Sequence, residues 1–155
     1  MSIPEIPNKI ALLELVKERL NASLWEAKNA MDAAQESANK EQKSSMGDKY
    51  ETGRAMAQID RDMYARRYHQ LLQEVELLDR ILENNLSSEV VKLGSLVETT
   101  LGWILLSISL GIIEQDGQKV MVVSTASPLG KAVLQKEKGE VFVFQGRRQT
   151  ILGVY

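Results

Sequence analysis

Ser45-Met46-Gly47-Asp48-Lys49-Tyr50-Glu51-Thr52 stands between two long runs of helical periodicity, and its reading decides the fold. A chain that carries an apolar seam before and after such a stretch folds back on itself as a helical hairpin, with the stretch at or near its tip. Upstream, Pro4 and Pro7 hold the first residues extended. Asn8 then offers a side-chain cap to a helix. One heptad register follows: Ile10, Lys17, Leu24, Met31 and Ala38 at one seam position, and Leu13, Leu20, Ala27 and Ala34 at the other. No Gly or Pro interrupts the run between Asn8 and Met46. At about 1.5 Å per residue the helix extends roughly 50 Å. The seam shrinks from Leu to Ala along its length, so the two helices approach closely toward the tip.

Downstream the seam is Tyr64, Tyr68, Leu71, Val75, Leu78 and Leu82. Its Leu-rich end comes last, whereas the first helix has its large residues first. An antiparallel hairpin therefore pairs large with large at the base and small or polar with polar at the tip, a consistency that favours an intramolecular hairpin. Gly47 and Gly53 read as breakers, which places the helices near residues 8–44 and 54–83. Within this reading Trp25 packs partly on the second helix, and Met31, Met56 and Met63 fill gaps between the helices. His69, the only histidine, is a surface residue.

Asn84-Asn85-Leu86-Ser87-Ser88 marks a change of composition, and after it the period changes from helical to alternating. Gly94–Thr100, Trp103–Ser109, Lys119–Ser124, Val141–Phe144 and Gln149–Val154 read as strands, with Asp116-Gly117 as a turn and Gly146-Arg147-Arg148 closing a hairpin. Ser127 caps a short helix that has Pro128 at its first position and runs to about Leu134. Trp103 belongs to the core of this part. The expected fold class is α+β: residues 1–85 form an antiparallel coiled-coil hairpin with an acidic tip, and residues 86–155 a small antiparallel sheet with one short helix.

The chain has 155 residues, 44% of them apolar and 5% aromatic, with a net charge of −2. Such a balance gives no general pull toward nucleic acid or anionic lipid. The absence of Cys excludes thiolate metal sites, disulfides and Cys nucleophiles. The N-terminus lacks the basic and apolar segments of a signal peptide, and the apolar run from Leu101 to Ile113 is too short to span a bilayer as a helix. The expectation is a soluble, cytoplasmic protein with no membrane partner, a monomer.

At the tip, Asp48 and Glu51 are three residues apart, a spacing that puts two positions on one helix or turn face. Two carboxylates can hold a hard cation such as Mg²⁺, though not cage it alone. The alternative is an ordinary solvated loop. Between residues 40 and 67 lie seven basic and five acidic residues. Lys43, Lys49 and Arg54 flank the carboxylates and are the candidates for contact with RNA phosphates, against the alternative of a helix face laced with ion pairs. Tyr50 is the one aromatic at the tip that could stack on a base.

With these residues in view, the sequence resembles the bacterial transcript cleavage factors GreA and GreB. Their tip motif is close to Gly-Asp-Leu-(Lys or Arg)-Glu-Asn; the tip here reads Gly47-Asp48-Lys49-Tyr50-Glu51-Thr52, with Gly, Asp and Glu in register. Their Ser-Pro-(Ile or Leu)-(Ala or Gly)-(Arg or Lys) segment is matched by Ser127-Pro128-Leu129-Gly130-Lys131. The resemblance spans nearly the whole chain and implies an FKBP-like fold for the second part. It also implies bacterial RNA polymerase and the nascent RNA 3′ segment as partners, and insertion of the tip into the polymerase secondary channel. Asp48 and Glu51 would share Mg²⁺ supplied in the polymerase active site, with no cofactor held by the isolated protein. Ser127, Pro128 and Leu129 would form the polymerase-binding surface. The protein would then be no enzyme itself, but would stimulate cleavage of backtracked RNA by the polymerase. The motifs depart from the family at Thr52, Ala55, Ile59 and Ala126. Two alternatives therefore stand beside this reading: a channel-binding modulator or inhibitor that does not stimulate cleavage, and a coiled-coil interaction or self-association module.

Overall fold

The chain opens with two long helices, α1 (Lys9–Lys43) and α2 (Gly47–Glu83). The computed structural model describes the backbone of residues 5–43 and 47–155 and the side chains of residues 5–40 and 52–155. Asn8 caps α1 as expected, its Oδ1 accepting the Ala11 N–H at 3.0 Å. The second helix begins at Gly47 rather than near residue 54, and it runs through Gly53 without a break. A lone glycine costs about 1 kcal/mol relative to alanine in a helix, which the surrounding helix formers Glu51, Arg54, Ala55, Met56 and Ala57 offset.

Residues Lys17–Glu76 make one compact unit, and Met1–Val16 joins Leu77–Tyr155 in the other. The limits of these units fall inside the two helices. The two helices run antiparallel: the start of α1 groups with the end of α2 in one unit, and in the other the Arg61 guanidinium on α2 donates to Gln35 Oε1 on α1 at 3.3 Å.

In the unit Lys17–Glu76 the buried seam is Leu20, Ala27, Ala34 and Ala38 on α1 and Leu71 on α2. Leu24 and Met31 are half-buried, as are Tyr64, Tyr68 and Val75 on the facing helix. Trp25 does not pack on the second helix; it is 69% exposed. One residue beyond Leu24 it lies about 100° further round the helix, and small seam residues leave no wide interface to reach. Met56 and Met63 are also exposed rather than gap-filling. They fall off the face that carries Ala57, Tyr64 and Leu71.

In the other unit the ends of the helices bury a broader face than a coiled-coil seam. Leu12, Leu13, Val16, Leu78 and Ile81 are all buried, while Ile10, assigned to the seam by its heptad position, is 40% exposed. The buried face here must cover a sheet, not one facing helix, and residues 12, 13 and 16 form its stripe.

That sheet has six strands: β1 (Leu96–Thr99), β2 (Gly102–Ser107), β3 (Gly111–Gln115), β4 (Gln118–Ser124), β5 (Val141–Phe144) and β6 (Arg147–Val154), in the order β3-β4-β2-β1-β6-β5. Four of its pairings are antiparallel. The fifth, β2 with β4, is parallel, with Ile104 beside Met121 and Leu106 beside Val123, so the sheet is mixed rather than wholly antiparallel. The intervening β3 makes this possible. It leaves β2, turns through Asp116 and Gly117, both at positive φ, and returns the chain as β4. Two consecutive left-handed residues give the tight hairpin turn that matches strand twist. Gln145 and Gly146 repeat this turn between β5 and β6, so β6 starts at Arg147 and not at residue 149.

Both faces of the central strands are buried. Val97, Ile104, Leu106, Phe142 and Ile151 pack on one side with Leu129 and Val133 of the short helix α3 (Pro128–Val133). Leu96, Leu105, Val120 and Val122 are buried as well, in the unit that also holds the ends of the two helices. Lys9 Nζ donates to the main-chain oxygen of Tyr155 at 3.3 Å, and Gln118 Nε2 to that of Glu5 at 2.7 Å. Trp103 is half-buried at the sheet, its ring 5.9 Å from that of Tyr155. None of the described helices is long and apolar enough to cross a membrane.

Candidate functional site

Continuous helix from Gly47 places positions 48 and 51 within its first turns, three residues apart, the spacing at which two positions share a helix face. The side chains of Asp48 and Glu51, and those of Lys43, Lys49 and Tyr50, lie outside the described residues. Among the described residues no three His, Cys, Asp or Glu side chains gather in a way that could hold a metal ion. As a donor set, two carboxylates suit a hard divalent ion whose remaining ligands come from elsewhere.

Of the basic candidates, Arg54 is described and exposed. Further along the hairpin several charges are already engaged: Lys40 pairs with Glu36 at 3.7 Å, and Arg61 with Asp62 at 3.2 Å. These pairs join near neighbours on one helix, the solvated arrangement set beside RNA contact in the sequence reading. Arg66 and Arg67 are exposed. Burial raises the Glu74 carboxyl above its usual range, and Arg67 opposes this in part. Between the helices, Ala30, Ala34 and Ser37 on α1 and Gly53 and Ala57 on α2 line a shallow groove. The lining from α1 is all small side chains, in agreement with the expected taper, whereas on α2 Met56, Asp60 and Tyr64 line it as well.

The Ser127–Leu129 segment is placed differently from the expected binding surface. Ser127 sits at the helix start in extended backbone, and its Oγ accepts the Gly130 N–H at 3.0 Å while donating to the Ser124 carbonyl at 2.7 Å. Its hydroxyl is therefore committed to capping α3. Pro128 is exposed. Leu129 is not a surface residue: at 5% exposure it is part of the sheet core. The helix is so short that its second residue already falls on the buried face, with Val133 one turn later on the same side.

A second concave feature has no counterpart in the sequence reading. Lys9, Arg80 and Lys92 converge on one pocket in the unit that contains the sheet. They come from widely separated parts of the chain, so no local motif or spacing announces them. Burial, and secondarily the Lys92 ammonium, hold the Lys9 ammonium below the usual lysine range.

No protein-family model matches this chain, and no curated protein matches it.

Proposed function

We propose that the protein is a Gre-type factor that binds bacterial RNA polymerase, brings the start of α2 into its secondary channel and stimulates cleavage of backtracked RNA. The observation that carries this reading is the helical start of α2, which sets positions 48 and 51 three residues apart beside an exposed Arg54. The hairpin followed by an α+β unit supports it as architecture. Asp48 and Glu51 are the residues that orient the attacking water, and Arg54, with Lys43 and Lys49, neutralises RNA phosphates. Mg²⁺ of the polymerase, when held there, stabilises the oxygens that attack and leave in the displacement. Pro128, exposed at the start of α3, is the remaining candidate of the anchoring segment. The place of action is the cytoplasm.

The test is transcript cleavage in a backtracked elongation complex with wild type, Asp48→Asn, Glu51→Gln and the double variant. Each single change should remove most of the stimulation, and the double should be little worse, since groups that act as a unit are not additive. Polymerase binding, measured separately, should survive all three. Binding without any stimulation by the wild type across a range of Mg²⁺ would replace this reading with that of a non-cleaving modulator. No binding at all would refute both.

A further inference from the structure

We propose that the pocket at Lys9, Arg80 and Lys92 binds a small phosphate-bearing molecule with an apolar or aromatic body, of the build of a nucleoside monophosphate. The pocket has a volume of about 350 Å³, within the range of small-molecule sites. Three cationic side chains line it, and no Asp or Glu side chain does. Lys9 spends one donor on the main-chain oxygen of Tyr155. Among the described residues nothing engages the Arg80 guanidinium or the Lys92 ammonium in an ion pair.

Such a cluster works against the fold. Lys9 is half-buried, and Lys92 lies close enough to repel it. A fold that merely needed polar cover here would gain by placing a carboxylate among the three, and local conflicts of this kind concentrate at functional sites. An incoming dianion removes the conflict, and Arg with Lys supplies the fork and point charges that phosphate oxygens accept from. A bare phosphate would leave most of the space unused. The rest of the lining combines the apolar Leu77, Ile81 and Leu93 with the amides of Asn84 and Asn85, and the buried Oδ1 of Asn85 has no hydrogen-bond partner. That pattern suits a ligand whose body is apolar and carries a donor, as a nucleobase does.

Binding to the full chain is measured calorimetrically with adenosine monophosphate, adenosine and inorganic phosphate as probes, at ionic strength held constant with sodium chloride. A parallel thermal-shift series uses the same probes. Wild type should bind the monophosphate saturably, and adenosine and phosphate each at least about tenfold more weakly. Arg80→Gln with Lys92→Gln should weaken the monophosphate by about tenfold or more. Both side chains are exposed, so this variant should keep its fold, as an unchanged circular dichroism spectrum checks. Lys92→Gln alone should raise the melting temperature of the ligand-free protein, because it removes the repulsion on Lys9. Equal affinity of wild type and double variant, phosphate binding as tightly as the monophosphate, or no saturable binding would overturn the proposal. So would binding of a polyglutamate peptide where the monophosphate fails, which would make the pocket a peptide-docking site.

Discussion

Replacing Gly130 with alanine should destabilise this protein, against the ordinary rule for a glycine inside a helix. In a solvated helix the change gains about 1 kcal/mol. Here a Cβ built on Gly130 would lie 1.9 Å from the Ser124 carbonyl oxygen and 2.9 Å from Ser127 Oγ. The first atom is main chain and cannot swing aside. Relief requires α3 and the Ser124–Ser127 turn to separate by more than about 1 Å, since ordinary van der Waals contact begins near 3.5 Å. The same turn holds the Ser127 Oγ to Ser124 bond at 2.7 Å and the Gly130 N–H to Ser127 Oγ bond at 3.0 Å. Loss of a cap costs about 1 kcal/mol, and overpacking costs about 1–3 kcal/mol. Set against the helix gain, the net cost should be on the order of 2 kcal/mol, or a fall in melting temperature of roughly 4–8 °C for a chain of this size. Thermal and urea unfolding monitored by circular dichroism provide the assay, with Gly117→Ala as a contrast. Gly117 has open space around it but a φ of +80°, so strain there comes from the backbone alone. A Gly130→Ala protein as stable as wild type, or more so, would refute the reasoning and show that the turn yields freely. The cleavage-factor family accepts alanine at the matching position of its motif, which makes the result a direct comparison between this chain and that pattern.

Leu129→Ala should cost about 2–5 kcal/mol, the range for truncating a buried leucine, whereas Pro128→Ala should leave the urea midpoint nearly unchanged. Weakened polymerase binding by Leu129→Ala would thus have to be read against its unfolding. Trp25→Ala should shift stability by no more than about 0.5 kcal/mol, as for surface positions, and Trp25 fluorescence should be quenched readily by iodide. Burial is the chief cause that raises the Glu74 carboxyl above its ordinary range in the folded state. The folded state therefore holds its proton longer than the unfolded one, and stability should fall as pH rises from the ordinary carboxyl range through the raised folded-state pKa. Glu74→Gln should flatten that part of a stability–pH curve; an unaltered curve would mean that Glu74 is solvated in the folded state.

The hairpin was legible because a strict apolar spacing can satisfy only one partner geometry, and because large and small residues run in opposite order along the two helices. The five strands and the Ser127 cap were legible from local chemistry: alternation, Gly at positive φ, and a Ser-Pro start. What escaped needed the third dimension. Gly111–Gln115 is short and mostly exposed, with only Ile113 buried, so no alternation announces it. The parallel pairing of β2 with β4 follows from that unseen strand. Leu129 belongs to a motif that reads as a surface, yet periodicity over six residues is too brief to say which face is inside. Ile10 and Trp25 show the limit of heptad positions where the neighbour is a sheet in one case and a thin seam in the other. At the candidate site, the spacing of Asp48 and Glu51 was plain in the sequence, whereas the Lys9, Arg80 and Lys92 cluster was invisible because the fold alone brings those residues together.

The compact unit that holds the sheet is assembled from two separated stretches of chain, Met1–Val16 and Leu77–Tyr155, and β6 pairs with both β1 and β5 inside it. During synthesis the helices emerge first, and the hairpin of Lys17–Glu76 can form while the ribosome is still at work. Leu12, Leu13 and Val16 must meanwhile wait, apolar and without their sheet. Until β6 is made, β1 has no neighbour on one side and β5 has none that is native. Completion of the sheet is therefore a late, long-range closure of the kind that slows folding. A nascent chain halted before Arg147 would carry an open sheet edge and an uncovered helix face at once, a form suited to capture by chaperones and proteases rather than to work.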